Sequence, residues 1–183
     1  MENTGKIIAF DKDKRRMETL IRLTGKAGCS NIQTILGSFL EADPNSAKFS
    51  NVEFILLDPS CSGSGIVGRM DHLLKDVHEN EDFDEVADRL TALSDFQKSA
   101  ILHAMKFPSV KKIVYSTCSK YIQENEDVVN WVLDHSTGFQ QSSDTFSTWK
   151  RRGLGENGQA MIRTLPEEDM TIGFFTCLFE RVK

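Results

Sequence analysis

The stretch "VYSTCSKYIQENEDVV", Val114 to Val129, leads from a buried-type strand through a polar turn into a helix-like segment. A second stretch, "VEFILLDPSCSGSG", Val52 to Gly65, shows the same order of an apolar run and a cysteine-bearing turn. Outward from these two stretches, strand-like and helix-like segments alternate along the chain. This alternation predicts an α/β fold with a mostly parallel sheet and helices on both faces.

The composition of the 183 residues is 39% hydrophobic, with a net charge of −5 and four cysteines. We expect a single domain over residues 1–183, with a polar insertion at 68–90 and a loop rich in serine, threonine and glycine at 136–158. No run reaches the roughly 18 apolar residues of a membrane span, so no membrane partner is expected. The scattered cysteines form no CxxC pair, which disfavours a metal site and favours an intracellular protein with reduced thiols. The negative charge disfavours a general nucleic-acid coat, although a local basic face can still contact phosphates.

The two cysteine-bearing turns are the first candidates for a functional site. Ligands of parallel α/β sheets bind beyond the carboxyl ends of the strands, and Cys61 and Cys118 each follow such a strand end. If the two strands are neighbours, both thiols lie at one edge of the sheet. A free cysteine is more often a small buried hydrophobe, and that alternative stays open. Asp58 either hydrogen-bonds a bound base or only stabilises its turn beside Pro59.

Two further patterns suggest nucleotide binding. Asp11 ends the first strand, where an acid can bind ribose hydroxyls or can simply be solvated. Gly63, Gly65 and Gly68 spell G-x-G-x-x-G, the pattern of a dinucleotide-binding oxidoreductase. That alternative is disfavoured because residues 58–62 separate the glycines from their strand, and because no strand leads to the acidic residues that follow.

Taken together, several motifs resemble the Sun/Fmu-type RNA cytosine-5 methyltransferases in order and spacing across nearly the whole chain. They are "LLDPSCSGSG", Gln97, "IVYSTCS", "ENEDVV", Arg163, Pro166 and "GFF". The D-P-S-C-S-G variant is similar to the subfamily called Sun domain family member five, which acts on large-subunit ribosomal RNA. The resemblance implies a Rossmann-like, S-adenosylmethionine-dependent methyltransferase fold, ribosomal RNA as partner, and a nuclear or nucleolar location.

The resemblance also implies a role for each candidate residue. In the family, the cysteine matching Cys118 attacks C6 of cytosine, so that C5 can accept the methyl group of S-adenosylmethionine. The cysteine matching Cys61 helps to release the product. Asp58 matches the acid that holds the base and is also expected to contact the cofactor, while Asp11 matches the acid that binds the cofactor ribose.

The sequence departs from the family pattern at three points. It begins just before the Asp11 strand, so the first strand and its glycine-rich loop are expected to be absent, and S-adenosylmethionine binding to be weak. Ser38 stands where the family tends to have an acid that contacts adenine, and Ser60 where most members have a second proline. These departures leave open a truncated, inactive form that binds RNA or a protein partner without catalysis.

Overall fold

The computed structural model describes residues 1–66, 83–143 and 145–182, with the backbone alone at residues 83 and 84. The chain divides into two compact units, Met1–Asp43 and Pro44–Lys183. Most of the expected polar insertion, residues 68–82, lies outside the described residues, whereas its end belongs to a helix. The single domain over residues 1–183 stays a prediction.

The first unit is a small parallel strand–helix–strand motif. Asp13 caps the helix by accepting a hydrogen bond from the backbone N–H of Arg16, and Gly28, at a φ of 71°, follows its end. The two strands pair in parallel, with Asp11 opposite Leu36. The elements are β1 (Ile7–Asp11), α1 (Lys14–Lys26), β2 (Ile32–Leu36) and a single 3₁₀ turn (Phe39–Glu41).

The second unit contains the remaining strands and helices. Two short 3₁₀ segments, Ile122–Glu124 and Glu156–Ala160, lie in its connections. In the described parts of the chain, no helix combines the length and apolar character needed to cross a membrane, and no group of three or more His, Cys, Asp or Glu side chains is placed to hold a metal ion. The elements are β3 (Phe54–Leu57), α2 (Phe83–Met105), β4 (Lys112–Thr117), α3 (Glu126–His135), β5 (Phe139–Gln141), β6 (Met161–Thr164), α4 (Pro166–Asp169) and β7 (Phe174–Arg181).

The sheet of the second unit has the order β3-β4-β7-β5, with β6 also paired to β7. The predicted parallel pairing holds for β1 with β2 and for β3 with β4, while the three pairings made by β7 are antiparallel. The expectation that residues 136–158 form only a loop is wrong at β5. There the buried side chain of Phe139 joins the core, and its backbone pairs with Arg181.

The core of the second unit lies between this sheet and the apolar faces of α2 and α3. Tyr115 and Phe175, on neighbouring strands, make an edge-to-face contact with ring centroids 6.2 Å apart. The helical periodicity expected from the sequence accounts for the inward side chains of both helices. The buried apolar residues include Ile101, Ala104, Phe107, Val110, Ile113, Val128, Val129, Val132, Met161, Cys177 and Phe179.

One expectation about β3 is wrong. Its nearly continuous apolar sequence predicts burial on both faces, yet Phe54 and Leu56 are 64% and 72% exposed. Phe54 and Leu56 lie on the same face of β3, which among the described residues is the edge strand of its sheet and pairs with β4 alone. The other face of the strand behaves as expected, since Leu57 is buried.

Candidate active site

The register of β3 and β4 brings the two cysteine turns together. Leu57 lies directly opposite Tyr115 in this parallel pair, so the chain leaves both strands at nearly the same level. The Sγ atoms of Cys61 and Cys118 are 3.3 Å apart, and both residues are partly exposed. The prediction that the two thiols converge at one edge of the sheet is therefore confirmed.

The surroundings of Cys61 disfavour its ionised form. Burial, together with the hydrogen bond and charge of the neighbouring Cys118, raises the pKa of Cys61 to about 12. Cys61 is consequently a thiol at neutral pH, able to donate its S–H to the Cys118 sulfur. A thiol of this kind is a poor nucleophile, because the thiolate is the attacking form.

Asp58 lies one residue beyond β3, at the same edge of the sheet. Partial burial raises the pKa of its carboxyl group, and a hydrogen bond from Ser116 acts in the opposite direction. The Ser116 hydroxyl lies 3.4 Å from both Asp58 Oδ1 and the carbonyl oxygen of Leu57. Asp58 is otherwise exposed to solvent, so its carboxyl group can meet a ligand.

The backbone on both sides of Cys61 is held by two buried polar side chains. Glu124 Oε1 accepts the Ser62 N–H at 2.9 Å, and Glu124 Oε2 accepts the Ser62 hydroxyl at 2.6 Å. Gln97 Nε2 donates to the Ser60 carbonyl at 3.1 Å and to Glu124 Oε1 at 3.0 Å. Residues 60 and 62 are thus fixed to the same pair of side chains.

The residues on both sides of Cys118 are held by the next residue along the chain, Asn125. Its Oδ1 accepts the Thr117 hydroxyl at 2.6 Å, and its Nδ2 donates to the Ser119 carbonyl at 2.9 Å. The Ser119 hydroxyl also lies 3.1 Å from that of Ser62, which links the two cysteine turns directly.

Gly65 forms a second link between the turns. Its N–H donates to the Cys118 carbonyl at 2.9 Å, and its own carbonyl accepts the Gly173 N–H at 2.7 Å. A Cβ atom at position 65 would lie 2.2 Å from the Gly173 oxygen, so only glycine fits. Gly63, at a φ of 71°, occupies the left-handed region. Conformation and packing therefore account for these two glycines of the G-x-G-x-x-G pattern, and Gly68 lies outside the described residues.

A buried ion pair supports the segment behind the turns. Arg163 of β6 donates through Nε at 2.6 Å and through Nη2 at 2.5 Å to the two carboxylate oxygens of Glu126. A third donor of Arg163 reaches the Lys120 carbonyl at 3.0 Å, and Glu126 also accepts the Leu154 N–H. Two-point contact of this kind fixes the orientation of both side chains.

Asp11, in the first unit, has one carboxylate oxygen engaged. Its Oδ1 accepts the Asp13 N–H at 2.8 Å and lies 3.0 Å from the guanidinium of Arg16. Among the described residues, Oδ2 has no hydrogen-bonding partner and remains available to a ligand hydroxyl. Ser38, in the position where the family tends to have an acid, caps the 3₁₀ turn by accepting the Leu40 N–H.

Glu124, Asn125 and Gln97 hold the turns without a role predicted for them from the sequence. A signal for Gln97 was present, because it falls on the same helical face as the buried Ala100 and Ile101. A polar residue on an apolar stripe is usually buried with a partner. For Glu124 and Asn125 the signal was the "ENEDVV" motif of the family resemblance, because hydrophobic periodicity alone shows only an acidic stretch like a solvated helix start.

The chain is similar to known rRNA methyltransferases over nearly its whole length. The family described as 16S rRNA methyltransferase RsmB/F matches residues 1–180. The chain is 40% identical over 185 residues to a 28S rRNA (cytosine-C(5))-methyltransferase of Mus musculus, covering 100% of this chain and 38% of that protein. It is 44% identical over 186 residues to the 25S rRNA (cytosine-C(5))-methyltransferase NSUN5 of Arabidopsis thaliana, covering 99% of this chain and 32% of that protein.

Among solved structures, the crystal structure of PH0851 superposes with a TM-score of 0.80 at 27% identity, covering 99% of this chain and 38% of that one. The expected α/β methyltransferase fold is therefore confirmed. The chain spans about a third to two fifths of the length of the curated relatives described above.

Proposed function

This chain belongs to the family of the 16S rRNA methyltransferase RsmB/F, and on that premise we propose that it carries the catalytic centre of an RNA cytosine-5 methyltransferase. The proposed substrate is ribosomal RNA, because the names of the mouse and Arabidopsis relatives specify C5 of cytosine in 28S and 25S rRNA. A nuclear or nucleolar location goes with that substrate and is part of the proposal.

The observation that carries the proposal is the pair of sulfur atoms 3.3 Å apart at the carboxyl edge of the sheet. C5 of cytosine is a poor nucleophile, and attack of a thiolate on C6 gives C5 enamine character. S-adenosylmethionine, when bound, supplies the methyl group that C5 then takes. We assign the attack to Cys118, because Cys61, with its pKa raised to about 12, stays protonated.

Cys61 has the complementary role in product release. Once the Cys118 sulfur is bonded to C6, it no longer raises the pKa of Cys61 through its hydrogen bond and charge, and only desolvation still does. The pKa of Cys61 then falls, so its thiolate forms more readily and can accept the proton from C5. Loss of that proton restores the C5–C6 double bond and expels the Cys118 thiolate.

Two carboxylates, one in each unit, have separate proposed roles. Asp58 accepts a hydrogen bond from the exocyclic amine of cytosine, the contact that acidic side chains make with this base, and we also place it against the cofactor. Asp11 accepts ribose hydroxyls of S-adenosylmethionine. Asp11 suits that role because Arg16 and the Asp13 N–H orient its Oδ1, while its Oδ2 has no partner among the described residues.

The test is a comparison of Cys118→Ala and Cys61→Ala in this protein, with ribosomal RNA and radiolabelled S-adenosylmethionine. We expect Cys118→Ala to abolish 5-methylcytosine formation and to give no covalent adduct. Cys61→Ala should accumulate a protein–RNA adduct on a denaturing gel, because attack proceeds and release fails. Cys29→Ser, a change at an exposed cysteine, is the matched control and should behave as the unmodified protein does.

The possible outcomes separate the alternatives. An adduct in Cys118→Ala and none in Cys61→Ala would mean that the two roles are reversed. Retained RNA binding with no 5-methylcytosine from the unmodified protein would instead support a non-catalytic binding function.

A further inference from the structure

Three consecutive polar residues, Glu124, Asn125 and Glu126, are buried where the 3₁₀ segment Ile122–Glu124 leads into α3. Their exposed fractions are 0%, 0% and 1%. Each side chain reaches a different part of the second unit: the first the Cys61 turn, the second the Cys118 turn, and the third Arg163 of β6. Burial of three adjacent polar side chains is costly unless every one is paired, so their pairing organises this region.

The backbone of the segment explains how adjacent side chains diverge. Asn125 has φ −116° and ψ −98°, which is neither helical nor extended, and it separates the 3₁₀ segment Ile122–Glu124 from α3. The Glu124 carbonyl accepts the hydroxyl of the buried Tyr115 at 2.5 Å, which fixes the segment to β4. The segment therefore has a defined position relative to the strand that carries Cys118.

We propose that Glu124 and Asn125 are positioning residues, one for each cysteine of the catalytic pair. Glu124, together with Gln97, fixes the backbone on both sides of Cys61, and Asn125 fixes the residues on both sides of Cys118. None of these hydrogen bonds involves a reacting sulfur atom, so both residues act through the turns. The inference rests on the proposed function, since it assigns Glu124 to the release step and Asn125 to the attack.

Each residue can be tested by an exchange of one oxygen and one nitrogen. In Glu124→Gln an amide N–H₂ replaces one oxygen of the carboxylate that accepts the Ser62 N–H, the Ser62 hydroxyl and Gln97 Nε2. Either the Ser62 hydroxyl must reverse and accept, or the two N–H donors lose their acceptor. In Asn125→Asp an oxygen replaces Nδ2 and faces the Ser119 carbonyl. Glu126→Gln is the matched control in the same segment, because Glu126 contacts Arg163 and Leu154 and neither cysteine turn.

The first readout needs no methylation: iodoacetamide alkylation of this chain at pH 8, followed by peptide mapping of each cysteine. In Glu124→Gln the Cys61 turn opens to solvent, and we expect its alkylation rate to rise about tenfold, which corresponds to one unit in pKa. In Asn125→Asp we expect the alkylation rate of Cys118, and not that of Cys61, to rise. Cys177 is fully buried, and its reactivity reports global unfolding. A parallel rise of Cys61 and Cys177, or the same pattern in Glu126→Gln, would overturn the inference.

The second readout uses the same variants with ribosomal RNA and S-adenosylmethionine. Glu124→Gln should raise the fraction of protein held as covalent adduct, and Asn125→Asp should lower adduct formation. If both variants lost adduct formation and product release to the same extent, neither residue would be specific to one cysteine. If the unmodified protein forms no 5-methylcytosine, the proposed function fails, while the alkylation result still decides whether each residue positions its own cysteine.

Discussion

Gly65→Ala tests the close contact between the two cysteine turns. The added Cβ would lie 2.2 Å from the Gly173 oxygen and 2.9 Å from the Cys118 oxygen, so these segments must separate by about 1 Å. The hydrogen bonds of 2.9 Å and 2.7 Å through Gly65 would then lengthen beyond useful range. Overpacking costs about 1–3 kcal/mol, and each lost hydrogen bond about 1 kcal/mol. Because these terms are not additive, we expect a loss of about 3 kcal/mol in the free energy of unfolding.

A loss of that size lowers Tm by about 6–12 °C in a chain of this length. Tryptophan fluorescence is the suitable probe, because Trp131 and Trp149 both lie in the second unit. Gly63→Ala is the matched control two residues away, with nothing within 4 Å of an added Cβ but a φ of 71°. Its cost is the left-handed strain alone, about 1–2 kcal/mol. A Tm for Gly65→Ala equal to or above that of Gly63→Ala would refute the packing argument.

Two further predictions concern the buried ion pair and the Cys61 thiol. Arg163→Met should destabilise the protein by about 3–5 kcal/mol in a thermal melt, because it leaves the Glu126 carboxylate buried and unpaired. The double variant Arg163→Met/Glu126→Gln should be more stable than Arg163→Met alone, and a less stable double variant would contradict this reason. In the unmodified chain, the iodoacetamide alkylation rate of Cys61 should rise about tenfold per pH unit from about pH 7 to 9.5. The reason is that the thiolate fraction of Cys61 grows until the pH reaches its pKa of about 12. A plateau in the rate below about pH 9 would show that the pKa of Cys61 is not raised.

The meeting of Cys61 and Cys118 follows from a rule that sequence alone can apply. Buried-type runs ending in polar turns predict parallel neighbours, and parallel neighbours in register place their following turns at one edge. The strand rule does not predict the 3.3 Å separation of the sulfur atoms, because that distance depends on side chains that approach from elsewhere in the chain. The roles of the two cysteines and of Asp58 and Asp11 stay proposals.

Gln97, "ENEDVV" and Arg163 belong to the motifs of the family resemblance, but the pairings that hold the turns could not be predicted, because the partners are polar and distant in sequence. Glu124 and Ser62 are 62 positions apart, and Arg163 and Glu126 are 37 apart. Hydrophobic periodicity carries no information about such pairs, since it treats every charged residue as solvated. The exposure of Phe54 and Leu56 was missed for the opposite reason. Their apolar character is visible in the sequence, whereas the edge position of β3 depends on strand order.

The segment Glu124–Glu126 also bears on which changes in chain length the protein can tolerate during evolution. Its neighbouring side chains are directed to the Cys61 turn, the Cys118 turn and β6. Inserting or deleting one codon between Lys120 and α3 would move every side chain to its neighbour's place, so all three sets of hydrogen bonds would fail together. Single substitutions, in contrast, remove one set at a time. We therefore expect lineages of this gene to vary here by replacement and to keep the length of this segment fixed.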